Sequence, residues 1–433
     1  MKLAVVVQRY GANINGGAEL HARYVAEHLG RHAQVEVITT CAVDYVTWRN
    51  ELSAGTEVVN GCAVHRFPVD RERDIKIFAR RSDRVFEQSH SQHDELAWLE
   101  SEGPTSRSLI AYLRTHRQAY DFFVFFSYRY YHSYHGVRAV GPRALLVPTA
   151  ERDAVIGLSV FGPVFRGVRA LMYNSPEERA MITAAAHNDD VPGVVVGIGS
   201  DVPARTDPLR FRQKYNINGR FAVYVGRIDA NKGCRELFEF FLRYIRAHPL
   251  GLALVLIGKP VLDIPEHPRV RHFGFLDDQD KFDAIAAADL LIMPSYYESL
   301  SMVALEAWAL GRPVLVNGRC DVLKGQCLRS NAGLYYETYE EFVEALRSIS
   351  DNGRLAEALG VNGRSFYRRH YSWPVIEQKY LDMLDTLKAE DGSGRPARAL
   401  EPLRGWFGRR KRDLAPGKEM LGQLPTGPLL NGR

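Results

Sequence analysis

The 433-residue chain has few cysteines and no long hydrophobic run. An odd number of cysteines without any Cys-x-x-Cys spacing argues against a disulfide framework or a zinc site, and it favours reduced thiols in the cytosol. No uninterrupted apolar run approaches the ~20 residues that cross a bilayer. The first residues, Met1–Val7, have one basic residue and lack a small-residue cleavage site, so we expect a first strand and not a signal peptide. The cysteines are Cys41, Cys62, Cys234, Cys320 and Cys327.

Short β-branched or aromatic runs alternate with helical periodicity, the pattern typical of parallel α/β layers. The length exceeds what one compact core supports and suits two such domains. The alternation starts afresh after residue 190. We therefore predict an N-terminal Rossmann-like domain over 1–190, a C-terminal one over 191–372, a last helix over 373–389 and a tail over 390–433. The predicted strands are Leu3–Gln8, Val35–Thr39, Phe122–Phe126, Leu145–Pro148, Val194–Ile198, Phe221–Val225, Leu252–Ile257, Leu290–Met293 and Pro313–Val316.

Two glutamates eight positions apart, Glu298 and Glu306, flank the start of a predicted helix after the strand Leu290–Met293. A cap at Ser299 or Ser301 would leave free backbone N–H groups and the positive dipole end at the strand's end, which is a site for an anion. Glu298 can bind hydroxyl groups beside that anion, and Glu306 can reach another part of the ligand. A structural role for Glu306 is disfavoured because it interrupts an otherwise apolar helix. A diphosphate between two polyhydroxylated rings uses all these features.

A second motif, Val225–Gly233, also follows a predicted strand and opens a helix. Gly226 permits close backbone approach. Arg227 can grip phosphate oxygens bidentately, and Lys232 adds a point charge. One Arg and one Lys near a helix start are commonplace alone. Together with the helix N-terminus predicted after the strand Leu290–Met293, Arg227 and Lys232 indicate a phosphate site.

The pattern Gly-Arg-x4-Lys-Gly followed by Glu-x7-Glu resembles the retaining glycosyltransferases of the GT-B fold, known as glycosyl transferases group 1 or family 4. The resemblance extends over most of the chain, although the remaining matches are weak singly. They are Gly16–Glu19, Gly197–Asp201, Ile257–Gly258, Phe273–Phe275 and Tyr371–Trp373.

This resemblance implies two Rossmann-like, doubly wound domains facing one another across a cleft. It implies that Arg227, Lys232 and Glu298 are the catalytic residues, with Glu298 on the donor sugar and Glu306 on the nucleotide ribose. In a front-face displacement, stabilisation of the negative charge on the departing diphosphate would contribute more to catalysis than a general base. The other donor-binding positions would be Gly16, Gly17, Gly226, Ser299, Leu300 and Ser301.

Many members of the family carry a histidine beside the donor sugar, after an N-domain strand. The equivalent segment here is Val147–Asp153, and Glu151 stands where the histidine is expected. Either Glu151 takes over a hydrogen bond to the sugar or another residue does, and His132 and His135 are the alternatives.

The net charge of +5 is concentrated in the stretch from Arg395 to Arg412, where Trp406 and Phe407 precede four consecutive basic residues. Two interpretations are open. The stretch lies on an anionic membrane surface, or it is a disordered, solvated tail, which its glycines and prolines favour. No nucleic-acid-binding motif accompanies the charge.

Asp278-Gln279-Asp280 has the Asp-x-Asp form of a metal site in another glycosyltransferase fold, but its place before a helix favours capping. We predict no metal and no cofactor, the nucleotide-sugar being a co-substrate. The absence of Gly-x-Gly-x-x-Gly after the first strand disfavours a dehydrogenase.

The leading hypothesis is a retaining hexosyltransferase that moves a sugar from a UDP- or GDP-sugar to a glycan or lipid-linked acceptor in surface polysaccharide biosynthesis. We expect it in the cytoplasm, with the inner membrane face as an open alternative. The competing hypotheses are a nucleotide-sugar epimerase or hydrolase of the same fold, and a catalytically silent scaffold that binds a partner enzyme.

Overall fold

The computed structural model describes residues 1–14, 16–249, 251–391 and 404–429. The chain divides into two compact units. Unit 1 comprises Met1–Gly197 and Glu377–Pro425, and unit 2 comprises Ile198–Ile376 with the described residues from Thr426 on. The chain therefore leaves unit 1 after Gly197 and returns to it after Ile376.

Unit 1 is built on an eight-stranded sheet of order β3-β4-β2-β1-β5-β6-β7-β8. Its pairs are parallel except for β3 with β4, which form an antiparallel hairpin at one edge. The five residues of β5 are all buried, as expected for a central parallel strand covered on both faces. The strands are β1 (Lys2–Val6), β2 (Gln34–Thr40), β3 (Gly55–Val59), β4 (Cys62–Phe67), β5 (Phe122–Phe126), β6 (Ala144–Val147), β7 (Ala170–Tyr173) and β8 (Gly193–Val195).

Helices connect these strands, and side-chain caps fix several of their starts. Ser175 accepts a hydrogen bond from the backbone N–H of Glu178, and Pro176 occupies the first helical turn, as its sequence indicates. Two 3-10 turns cover Gly141–Arg143 and Ala154–Gly157. The helices are α1 (Gly17–Leu29), α2 (Ile75–Glu87), α3 (Gln92–Glu102), α4 (Arg107–Thr115), α5 (Tyr131–Val140), α6 (Gly162–Gly167) and α7 (Pro176–Ala186).

Unit 2 is built on a six-stranded parallel sheet of order β11-β10-β9-β12-β13-β14. Relative to the chain, the strands run 3-2-1-4-5-6, which is the doubly wound order of dinucleotide-binding domains. The direction of winding reverses between β9 and β12, and a crevice opens there at the carboxyl ends of the strands. The strands are β9 (Phe221–Val225), β10 (Ala253–Ile257), β11 (Val270–His272), β12 (Leu290–Met293), β13 (Val314–Asn317) and β14 (Gly333–Tyr336).

Most helices of unit 2 alternate with its strands, whereas α8 precedes β9 and α14 follows α13. In α9 the buried side chains recur at three- and four-residue intervals, as an amphipathic helix on a sheet requires. The helices are α8 (Pro208–Lys214), α9 (Cys234–Ala247), α10 (Asp278–Ala287), α11 (Met302–Ala309), α12 (Asp321–Ser330), α13 (Tyr339–Asp351) and α14 (Gly353–His370). No helix among the described residues is long and apolar enough to cross a membrane.

The final helix, α15 (Trp373–Asp391), begins in unit 2 and belongs to unit 1 from Glu377 on. Glu377 accepts hydrogen bonds from His28 at 2.6 Å and from His32 at 2.8 Å. The Lys379 ammonium donates to the carbonyl of Val196 at 3.0 Å. Side chains of α1 and the end of the β8 loop thus hold the second part of α15 on unit 1.

The tail that was expected to be disordered contains folded structure in its described part. Residues 404–429 include two short helices, α16 (Trp406–Arg409) and α17 (Gly417–Gly422). A Cβ on Gly417 would stand 2.5 Å from the Ala154 carbonyl oxygen, so the glycine lets α17 lie directly on the backbone of unit 1. The stretch 392–403, which includes Arg395, lies outside the described residues.

Candidate functional site

The loops that follow β9 and β12 leave the sheet side by side, because these strands are neighbours. Gly233 has a φ of +72°, and a Cβ there would stand 1.9 Å from the Pro294 carbonyl oxygen. The same oxygen accepts a hydrogen bond from Asn317 Nδ2 at 3.0 Å. A glycine is therefore required at 233 for both its conformation and its space. The result is direct contact between the two loops at the crevice.

The loops after β9 and β10 are joined in the same way. The Gly226 N–H donates to the carbonyl of Ile257 at 2.9 Å. Gly258 has a φ of +138°, and a Cβ there would stand 2.0 Å from the Gly226 carbonyl oxygen. The loops after the neighbouring strands β10, β9 and β12 thus contact one another directly through their backbones.

Two cations lie on this surface, each held by a carboxylate. Lys232 Nζ is 2.8 Å from Glu298 Oε1, and the two side chains are 27% and 11% exposed. Arg227 pairs with Asp229 through its Nε. Asp229 also accepts the backbone N–H of Lys232 at 2.8 Å, which fixes the loop. The structure therefore brings Arg227, Lys232 and Glu298 to one place in unit 2.

Helix α11 begins beside this pair. Ser301 caps it, its Oγ accepting from the Ala304 N–H at 3.3 Å, so Ser301 and not Ser299 is the cap. Ser299 and Leu300 occupy the preceding turn of the loop, and Leu300 is buried. The cap satisfies one of the first four N–H groups of the helix, and the N-terminus of a helix favours a bound anion.

Glu306 lies two turns into α11 and is only 1% exposed. Its Oε1 accepts from Ser200 Oγ at 2.9 Å and from Lys281 Nζ at 3.1 Å. Its Oε2 is buried and has no hydrogen-bond partner among the described residues. A buried carboxylate oxygen left unpaired costs free energy unless a ligand supplies a donor. Ser200 and Lys281 therefore fix the Glu306 carboxylate and leave its Oε2 as a candidate acceptor for a ligand's hydrogen-bond donor.

Sequence reasoning missed Ser200 and Lys281. Ser200 comes from the loop that enters unit 2, and nothing in its local sequence indicates a contact with a residue 106 positions away. Lys281 lies on α10, directly after the Asp-x-Asp triplet. A lone lysine within an acidic cluster favours a local ion pair, and its ion pair with Asp278 at 3.3 Å is of that kind.

The acidic triplet is used within the fold. Asp277 caps α10 by accepting the backbone N–H of Asp280 at 2.8 Å. The Asp280 carboxylate contacts Arg210 and Lys214, each at 2.6 Å. Hydrogen bonds from Lys214, Tyr215 and Arg210 lower the pKa of Asp280, although burial acts in the opposite direction. Within the described ranges no group of three His, Cys, Asp or Glu side chains could hold a metal ion.

The predicted glycine loop of unit 1 follows β1. Gly16 caps α1, and a Cβ there would stand 2.0 Å from Glu19 Oε2. Arg9 pairs with Glu19 at 2.6 Å directly beneath. The buried Arg9–Glu19 ion pair therefore leaves no room for a side chain at Gly16, whereas a Cβ at Gly17 would stand in open space. The structure places both at the carboxyl end of β1.

Glu151 and the two histidine alternatives also belong to unit 1. Glu151 is half-buried after β6, and its carbonyl accepts the Asp153 N–H at 2.9 Å. His132 is buried on α5, its Nε2 lying 2.9 Å from the Phe126 carbonyl oxygen. Burial lowers the pKa of His132 and of His135 to about 4. Both imidazoles are therefore neutral at pH 7.

Comparisons with known proteins concern the family and the fold of the chain. The sequence model of the glycosyl transferases group 1 family matches residues 219–352, which hold Arg227, Lys232, Glu298 and Glu306. Glycogen synthase from Mycobacterium tuberculosis is 29% identical over 226 residues, 46% of this chain and 52% of the relative. The chain thus spans about half the length of the curated relatives it matches.

Two solved structures share the fold over nearly the whole chain. Sucrose-phosphate synthase from Thermosynechococcus elongatus superposes with a TM-score of 0.65 at 16% identity, covering 90% of this chain and 99% of that one. The Anabaena protein HepE, in complex with UDP and glucose, superposes with a TM-score of 0.65 at 15% identity, covering 89% and 100%. These likenesses confirm the predicted fold class, the GT-B fold with two Rossmann-like α/β domains.

Proposed function

We propose that this chain, whose residues 219–352 match the model of the glycosyl transferases group 1 family, is a retaining glycosyltransferase that uses a nucleoside-diphosphate sugar. The match confirms the family resemblance predicted from the two motifs. We propose UDP or GDP as the nucleotide, a hexose as the transferred sugar and a glycan or lipid-linked acceptor, in surface polysaccharide biosynthesis. The match to a capsular polysaccharide glycosyltransferase of Staphylococcus aureus, 25% identical over 205 residues, supports that last assignment.

The observation that carries the proposal is the set of charges at the crevice of unit 2. Lys232 and Arg227 are partly exposed cations held by carboxylates, and the N-terminus of α11 adjoins them. A diphosphate at this point would take over the Lys232 ammonium from Glu298. A ribose beside it would donate a hydroxyl hydrogen to the unpaired Glu306 Oε2.

The same arrangement favours cleavage of a sugar–phosphate bond. As that bond breaks, its electron pair moves to the diphosphate, and Lys232, Arg227 and the α11 amides stabilise the added charge. The sugar passes through an oxocarbenium-like state. The departing phosphate oxygen accepts the proton of the attacking hydroxyl, which approaches the same face, so no separate general base is needed. Glu298, released from Lys232, binds a hydroxyl of the donor sugar.

We propose that this reaction needs no metal ion, because two cations and a helix N-terminus already face the diphosphate position. The roles predicted for Gly16, Gly17 and Glu151 in unit 1 stay predictions.

Calorimetry and thermal shift with UDP, GDP, ADP and TDP, each with magnesium and with EDTA, test the proposal. We expect one of the four to bind selectively and equally well under both conditions. Binding that disappears with EDTA would refute the metal-independent site. Binding of none of the four would refute the donor site and favour the silent scaffold, whereas release of free sugar without an acceptor would favour a hydrolase.

A further inference from the structure

Residues 404–412, here called the basic–aromatic segment, expose two large apolar side chains next to each other. Trp406 is 54% exposed and Phe407 is 84% exposed. Their rings lie edge to face with centroids 4.9 Å apart. Two adjacent aromatic rings that are exposed to water form an apolar patch, which is unfavourable on a soluble surface.

Positive charge surrounds these rings. Five of the nine residues are cations: Arg404, Arg409, Arg410, Lys411 and Arg412. The Arg410 guanidinium lies 4.0 Å from the Trp406 ring centroid, so charge and aromatic surface are presented together. The nearest carboxylate in sequence, Asp413, pairs with Lys411 at 2.8 Å and offsets one charge of the five.

The chain that follows the segment is fixed to unit 1. The backbones of Leu414 and His90 exchange two hydrogen bonds, each 3.1 Å long. Arg152 donates to the carbonyls of Leu424 and Pro425, at 3.1 Å and 2.7 Å. Leu424 is buried in the main core of the unit. The basic–aromatic segment is therefore held at one place on unit 1, which a freely solvated tail would not be.

We propose that the basic–aromatic segment is a docking surface for an anionic lipid bilayer. The phosphate headgroups would bind the cations, and Trp406 and Phe407 would enter the boundary between headgroups and acyl chains. A polyanion such as a nucleic acid would use the arginines and would leave Phe407 in water, so the exposed ring favours a lipid surface. The inference depends on unit 1 alone and is independent of the donor site proposed in unit 2.

Tryptophan fluorescence offers a direct test, because the other four tryptophans are at most 9% exposed: Trp48, Trp98, Trp308 and Trp373. Addition of vesicles containing phosphatidylglycerol should shift the emission to shorter wavelength, through Trp406. Vesicles of phosphatidylcholine alone should leave the emission unchanged at moderate salt. An unchanged spectrum with both vesicle types would overturn the proposal.

Co-sedimentation of variants with the same vesicles measures each contribution. One cation near an anionic surface strengthens binding about five-fold, so R410S/R412S should bind about 25-fold more weakly. W406S/F407S should also bind at least about ten-fold more weakly, because insertion of two rings is lost. Wild-type binding by either double variant would overturn the proposal, and so would binding of heparin in place of vesicles.

Matched controls come from α14, which has an exposed valine and several exposed arginines. Val361 is 63% exposed, and Arg354 and Arg368 are exposed as well. V361S and R354S/R368S should bind vesicles like the wild type. Equal losses in these controls would mean that net charge, and not the segment, carries the binding. All variants should keep nucleotide affinity, so that failure of the membrane contact is distinguishable from failure of the donor site.

Discussion

Replacing Lys232 by methionine keeps the length of the side chain and removes its ammonium. A charge-assisted hydrogen bond to phosphate is worth about 1.5–3 kcal/mol, so the nucleoside diphosphate should bind about 10- to 150-fold more weakly. Isothermal calorimetry with the nucleoside diphosphate selected in the screen measures this loss. The sugar-free nucleotide is the right probe because Glu298 is assigned to the sugar.

The variant also changes stability, and the structure allows the two effects to be separated. Glu298 is 11% exposed and loses the ammonium 2.8 Å away. A mostly buried carboxylate without that partner costs about 1–3 kcal/mol, and each kcal/mol lowers the melting temperature by about 2–4 °C in a unit of this size. The double variant K232M/E298Q removes both charges. It should regain most of the stability and still bind the nucleotide weakly.

Lys324 provides the matched control. Its Nζ lies 2.7 Å from Glu337 Oε1, and its side chain is 23% exposed, close to the 27% of Lys232. K324M should therefore lose one charge of the same kind in unit 2 and leave nucleotide affinity unchanged. Wild-type affinity in K232M, or an equal loss in K324M, would refute the assignment of Lys232 to the phosphates.

Three further outcomes are expected. Glu306→Ala should remove the preference for UDP or GDP over their deoxyribose forms, measured by calorimetry; a retained preference would contradict the ribose role. Gly233→Ala should destabilise unit 2 by more than about 3 kcal/mol, because of backbone overlap and strain. Gly219→Ala, with φ of +87° and open space, should cost only about 1–2 kcal/mol in the same melts; equal costs would contradict the close approach. Burial lowers the pKa of His21 to about 3, and of His132 and His135 to about 4, from 6.5. The unfolded chain then binds more protons on these three side chains between those values, so together they should lower stability by up to about 4.1 kcal/mol per pH unit as the pH drops through this window. His21→Phe should reduce the slope by about 1.4 kcal/mol per pH unit in urea titrations, and an unchanged slope would exclude His21.

Local sequence predicted the strands that carry the site. The observed bounds of β9 and β12 equal the predicted ones, Phe221–Val225 and Leu290–Met293. A short, wholly apolar run is typical of a central parallel strand, because both faces of that strand are buried. The first strand, predicted over Leu3–Gln8, lies at Lys2–Val6, although the Val7 N–H still donates to the carbonyl of Ile38 on β2. Strand β3, at Gly55–Val59, is almost wholly exposed and gives no apolar signal.

Local sequence patterns did not predict contacts between residues that are far apart in the chain. The Glu306 carboxylate depends on Ser200 and Lys281, which the topology brings to it from two other segments. The segment after Asp413 has the composition of a linker, yet Gly417 serves as a contact point for Ala154. A high glycine content indicates a flexible backbone, but it does not predict which part of the fold a given glycine will contact.

The return of the chain after Ile376 has a consequence for synthesis. Unit 2 is almost continuous in sequence, whereas unit 1 takes in Glu377–Pro425 from the far end of the chain. A ribosome therefore completes Ile198–Ile376, nearly all of unit 2, while unit 1 still lacks Tyr380, Leu384 and Leu387, which are all buried in the folded protein. Most of unit 2, with the proposed donor site, would then fold first during translation, and unit 1 would be completed only when Glu377–Pro425 joins it.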